Sequence, residues 1–100
     1  MWWAFLPAPA GRRPVVLLSR DDAYTVRALV IVAPVTTRRR GIPVEVVLGP
    51  DDGLPRPCVA NLDTVTTIPK RLLTSRLTSL SPDRLDEVER ALMFAFGMER

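Results

Sequence analysis

Proline and glycine bound most of the short apolar runs in this chain, so strands are favoured over helices until the last twenty or so residues. Trp2 to Leu6 reads as a first strand, and Pro7-Ala8-Pro9-Ala10-Gly11 then breaks regular pairing. Pro14 to Ser19 is rich in β-branched residues and reads as a strand covered on both faces. Asp21-Asp22-Ala23-Tyr24 reads as a turn or a single helical turn, and Val26 to Pro34 as another apolar strand. Pro43 to Leu48 partly alternates and reads as a more exposed strand. A turn over Gly49 to Gly53 leads into strands over Pro57 to Leu62 and Thr64 to Ile68, and Leu77 to Leu80 reads as a short last strand.

Residues from Ser81 onward read differently. Ser81 can accept an N-cap hydrogen bond, Pro82 suits the first helical position, and Asp83 favours the positive end of the helix dipole. Leu85, Val88, Leu92, Ala95 and Phe96 recur at helical spacing, and that stripe reads as core. Gly97 suits the stop. The expected fold is mainly β with a C-terminal helix (α+β), a small barrel with the helix packed on it, in one domain over residues 1–100.

A domain of 100 residues buries only about 65% of its unfolded surface. With 47% hydrophobic residues it has little polar surface to spare, which favours a homodimer. The net charge is only +3, but arginines cluster, and a pI near 10 favours a polyanionic or acidic partner. Cys58 is the single cysteine, so no internal disulfide can form and a reducing cytoplasm fits. One cysteine and no histidine disfavour a zinc site, and no cofactor is expected. Met1-Trp2-Trp3-Ala4-Phe5-Leu6 is too short for a signal peptide or membrane span, and no membrane role is expected.

Two stretches carry chemistry. Gly11-Arg12-Arg13-Pro14 opens one apolar run, and Pro34-Val35-Thr36-Thr37-Arg38-Arg39-Arg40-Gly41 closes the next. Each puts phosphate-binding groups at a strand end. If those ends lie side by side, they form a small site for an RNA phosphate. With no histidine in the chain, imidazole cannot serve there.

The order of these pieces matters more than any one of them. Trp2-Trp3-Ala4 is followed by Gly11-Arg12-Arg13-Pro14-Val15-Val16-Leu17-Leu18-Ser19, then Val32-Ala33-Pro34-Val35-Thr36-Thr37. Gly41-Ile42-Pro43-Val44-Glu45-Val46, Val59-Ala60-Asn61-Leu62-Asp63 and the final helix complete the series. This order resembles the MazF/PemK (Kid) toxins of bacterial type II toxin–antitoxin modules over nearly the whole chain. The resemblance implies an SH3-like barrel of the CcdB/PemK/MazF type and a homodimer. It implies sequence-specific cleavage of single-stranded RNA without a metal. It also implies a cognate antitoxin, MazE-like with an acidic tail. Residue by residue, it assigns the catalytic arginine to Arg13 and the catalytic threonine to Thr36. The chain departs from the family in its start, where Met1 directly precedes Trp2, and in the short loop from Pro7 to Gly11.

The residue types suit that chemistry. Attack of a 2′-oxygen on the adjacent phosphorus builds negative charge, and Arg13 offers a planar fork matched to phosphate oxygens. Pro14 biases Arg13 toward extended backbone, and Thr36 can donate a hydroxyl hydrogen bond. Arg38, Arg39 and Arg40 adjoin Thr36 and suit backbone phosphates. Arg12, Thr37, Arg56, Asn61 and Asp63 are further RNA-binding candidates. Of Trp2 and Trp3, one is expected in the core and the other at a surface or dimer interface. Cys58 reads as a small buried hydrophobe. Two other functions share such a fold. A gyrase-binding CcdB-type toxin uses a tryptophan near its C-terminus, whereas this chain ends Phe96-Gly97-Met98-Glu99-Arg100. A catalytically inactive RNA-binding barrel is disfavoured by the presence of both Arg13 and Thr36.

Overall fold

The computed structural model describes residues 1–7, 10–18 and 28–98. Its strands are β1 (Trp2–Leu6), β2 (Gly11–Leu17), β3 (Leu29–Thr36), β4 (Glu45–Leu48), β5 (Cys58–Asn61), β6 (Thr66–Pro69) and β7 (Leu73–Arg76). One helix follows, α1 (Pro82–Ala95). The strands run antiparallel in the order β4-β5-β3-β2-β1-β7, with β6 also paired to β3.

β3 makes the fold a barrel. Its first half pairs with β6 (Val30 with Ile68) and its last residues pair with β5 (Val35 with Ala60). One strand therefore belongs to two sheets. Its side chains alternate between two cores, as a period of two requires. Val30 and Val32 join Ala4, Val15 and Ile68 in one cluster. Ala33 and Val35 join Val16, Val46, Leu48, Ala60 and Leu62 in the other, against Val88 and Ala91 of α1. β2 divides the same way, with Val15 in the first cluster and Val16 in the second, as expected of a strand with both faces covered.

Several expectations are corrected. Residues 77–80 form no strand; the last strand is Leu73–Arg76, pinned by Trp2 and Trp3 of β1. Leu77, Thr78 and Leu80 instead lead across to the helix, and the Met1 amine donates to the Thr78 carbonyl at 2.6 Å. The helix is capped as expected, Ser81 Oγ accepting from the Arg84 amide at 3.2 Å. Its stripe is only partly core. Val88 is buried and Leu92 and Ala95 pack on the cluster, but Leu85 is 52% and Phe96 59% exposed. The helix meets the barrel through the narrower Val88–Ala91 face, so the two ends of the stripe overhang it. Neither tryptophan is fully core. Both are half-buried on opposite faces of β1, Trp2 against the first cluster and Trp3 on the other side. The expected turn at Asp21–Tyr24 and the start of the third strand at Val26 lie outside the described residues, as does Ser19.

A polar tie completes the frame. Arg84 Nε bonds Asp52 Oδ1 at 2.9 Å, while Asp52 Oδ2 accepts the Gly49 amide at 2.9 Å. This fastens the start of α1 to the turn after β4.

Candidate active site

The β2–β3 ladder pairs Val15 with Pro34, Arg13 lies two residues before Val15 on β2, and Thr36 closes β3 two residues after Pro34. Both side chains line one cleft of about 530 Å³, together with Leu6, Ala10, Pro34, Arg38, Arg40, Asn61 and Thr64. The sequence stretches at Arg13 and Thr36, remote along the chain, therefore meet in space.

Several polar groups in this cleft are held from behind. Arg13 Nε donates to the Ala10 carbonyl at 3.0 Å. That leaves its two terminal amino groups free, among the described residues, to face a phosphate. Gly11, with φ of +66°, makes the tight return that brings Ala10 under the guanidinium. The Thr36 hydroxyl oxygen accepts the Arg38 amide at 3.2 Å. An oxygen occupied as acceptor presents its own proton elsewhere, so the hydroxyl can donate into the cleft. Asn61 Oδ1 accepts the Asp63 amide at 2.9 Å, and the Thr64 hydroxyl donates to the Asn61 carbonyl at 3.2 Å. These bonds fix Asn61 at the end of β5 and, among the described residues, leave its amide NH₂ available.

The other candidates fall elsewhere. Neighbouring strand residues face opposite ways, so Arg12 and Thr37 turn away from the cleft that Arg13 and Thr36 line. Arg12 stacks over the Trp3 ring at 4.1 Å. Thr37 and Arg56 border a smaller slot of about 180 Å³ with Trp3, Pro14, Leu54 and Cys58. Arg39 is exposed and lies outside the cleft lining, and Asp63 enters only through its backbone amide. Cys58 is buried as expected, and desolvation, with the Asp52 charge, pushes its thiol up.

Glu45 is the residue that sequence reasoning passed over. Its carboxylate accepts the amides of Arg40 (3.0 and 3.1 Å), Gly41 (2.8 Å) and Ile42 (3.4 Å). The sequence signal was a glycine four residues before an acidic strand residue, which by itself looks like ordinary turn chemistry. Among the described residues, no cluster of three or more His, Cys, Asp or Glu side chains could hold a metal. No described helix is long and apolar enough to cross a membrane.

Residues 1–96 match the model of the PemK-like, MazF-like toxin of type II toxin-antitoxin systems. The chain belongs to this family. It is 42% identical, over all of its length and 92% of the relative, to the probable endoribonuclease MazF5 of Mycobacterium tuberculosis. It is 36% identical to the probable endoribonuclease MazF2 of the same species, over 97% of the chain and 94% of the relative. Among solved structures it superposes on the Mycobacterium tuberculosis toxin MazF-mt6 with a TM-score of 0.91 at 30% identity, covering 99% of this chain and 97% of that one. A mycobacterial endoribonuclease in complex with its cognate antitoxin gives 0.85 at 27% identity, covering 99% and 92%. The expected MazF-type barrel with its C-terminal helix is thus the fold of this chain.

Proposed function

We propose that this MazF-like chain is a toxin endoribonuclease. It cuts single-stranded RNA at chosen sequences, without a metal, at a phosphodiester held between Arg13 and Thr36. The observation that carries this reading is the cleft shared by those two side chains, each anchored from behind with donors left over.

The reaction is an in-line transfer. The 2′-oxygen bonds to phosphorus, the bond from phosphorus to the 5′-oxygen breaks, and a 2′,3′-cyclic phosphate and a 5′-hydroxyl result. Arg13 stabilises the charge on the equatorial oxygens and supplies a proton to the leaving oxygen. A resting guanidinium already carries its proton and cannot act as base, so a solvent or substrate group takes the 2′-proton; only the more basic leaving alkoxide draws a proton from Arg13, which solvent then replaces. Thr36 donates to a second phosphate oxygen. Such fixed donors contribute about 3 kcal/mol each to the barrier. Arg38 and Arg40 hold the backbone, and Asn61 reads a base edge.

The protein works as a homodimer held by a cognate antitoxin until release, in a reducing cytoplasm. The overhanging Leu85, Phe94, Phe96 and Met98, all more than 40% exposed, support self-association. A neighbouring fold is an endoribonuclease solved with its antitoxin, which supports the second partner.

The test is incubation with a long single-stranded RNA in EDTA, beside an Arg13→Ala control. Discrete fragments with 5′-hydroxyl ends, absent in the control, are expected. Intact RNA across many sequences overturns the nuclease.

A further inference from the structure

The turn over Arg40, Gly41 and Ile42 points three consecutive amides at one spot. Gly41, with φ of +72°, makes that possible, because a side chain there would strain the backbone. Such a concavity of amides is an anion site. Here a carboxylate of the same chain fills it. Glu45 Oε1 takes all three amides, at 3.0, 2.8 and 3.4 Å, and Oε2 takes the Arg40 amide again at 3.1 Å.

The carboxylate itself is well based. Glu45 opens β4 between buried Val44 and Val46, and its register partner across the ladder is Asn61 of β5. The loop is therefore fastened to the strand pair that carries a cleft residue. At the loop's other end, Thr36 Oγ1 accepts the Arg38 amide. Arg38 and Arg40, which line the cleft, thus leave a backbone pinned on both sides. A long arginine binds phosphate well only if its origin is fixed, since otherwise ordering it costs entropy on each encounter.

We propose that Glu45 is a positioning residue for RNA, acting through the arginine loop: its carboxylate closes the Arg40–Ile42 turn and so sets Arg38 and Arg40 along the cleft. It touches no substrate. This inference rests on the nuclease reading for its substrate.

The full-length chain is compared with Glu45→Ala and Glu45→Gln. Steady-state cleavage of a long single-stranded RNA gives kcat and KM. Anisotropy of a fluorescein-labelled, mixed-sequence single-stranded RNA gives affinity, measured with each Glu45 change placed in the non-cutting Arg13→Ala chain. Hydrogen exchange reports the amides of Arg40 to Ile42. Glu45→Ala is expected to weaken KM and affinity about tenfold, with kcat within about twofold, and to speed exchange at those amides. Glu45→Gln keeps the Oε1 acceptor and is expected to recover affinity to within about threefold. Unchanged KM and affinity in Glu45→Ala, or unchanged exchange, overturns the proposal. So does a loss confined to kcat, or a glutamine variant as weak as alanine. If the unsubstituted protein binds RNA but does not cut it, the nuclease reading alone falls, and affinity and exchange still decide the role of Glu45.

Discussion

Arg13 of β2 and Thr36 at the end of β3 line the same cleft, just past the Val15–Pro34 pair that joins the two strands. Twenty-odd residues separate them in sequence, yet the antiparallel pairing of β2 with β3 draws them to one cleft. The relationship has direct consequences for rate.

Arg13 does two jobs with one planar group: Nε holds the Ala10 carbonyl while the terminal amines face the cleft. Lysine cannot do both. Arg13→Lys and Arg13→Ala are each expected to lower kcat by at least about 100-fold, with the fold intact. Cleavage assays beside thermal melts check this, and near-normal cutting by the lysine variant removes the need for a bidentate donor.

Thr36 is expected to matter for its hydroxyl and not its shape. Thr36→Val keeps the β-branched volume but loses both the acceptor for the Arg38 amide and the donor into the cleft. A loss of about 100-fold in kcat is expected. Thr36→Ser keeps the hydroxyl and should stay within roughly tenfold. Single-turnover kinetics separate the two.

The arginine run should divide by position. Each phosphate contact on a single strand adds about 0.7 to the salt slope of binding. Removing both Arg38 and Arg40, which line the cleft, should flatten the slope by about 1.4. Arg39→Ala should leave it nearly unchanged. RNA titrations from low to moderate salt measure this, and equal effects from all three would mean general charge attraction.

The Arg84–Asp52 pair is a stability element. Asp52 is nearly buried, with its side chain 7% exposed, while Arg84 is 30% exposed. The hydrogen bonds that the guanidinium donates to Glu87 and then to Asp52 hold it charged well above its ordinary range. Asp52→Ala leaves the Arg84 Nε–H and the Gly49 amide without their acceptors, while Glu87 still holds the other end of the guanidinium. About 2 kcal/mol of destabilisation is expected, below the range for fully buried pairs because Arg84 keeps some water. A melting temperature lower by roughly 10 °C would register it.

Acid should loosen the arginine loop. Desolvation pushes the Glu45 carboxyl up, but the amides of Arg40, Gly41 and Ile42 and the Arg40 charge together outweigh it and hold the group below its ordinary value. Glu87 and Arg90 of the helix share its surroundings, with opposite charges. A depressed carboxyl stabilises the fold above its unfolded value of about 4.5 and loses that contribution as pH falls through the folded value. The difference in stability between the unsubstituted chain and Glu45→Gln should therefore shrink as pH drops below about 4.5. Chemical denaturation at a series of pH values checks it, and a constant difference contradicts the coupling.

Local chemistry was enough for most of the elements. β-branched runs bounded by Pro and Gly gave the strands, and Ser81-Pro82-Asp83 gave the helix start, because caps and side-chain periodicity depend on neighbours within a few residues. The ordered motifs named the family and pointed to Arg13 and Thr36. Tertiary structure decided what depends on register and packing. It set which of Arg12 and Arg13, or Thr36 and Thr37, faces the cleft, since one residue of slip exchanges the faces. It chose Leu73–Arg76 over residues 77–80 as the last strand, because only the former pairs with β1. It left Leu85 and Phe96 overhanging a helix that meets the barrel through Val88 and Ala91. And it gave Glu45 its meaning, since a carboxylate gathering three amides is a fact of folded geometry that no local pattern in the sequence encodes.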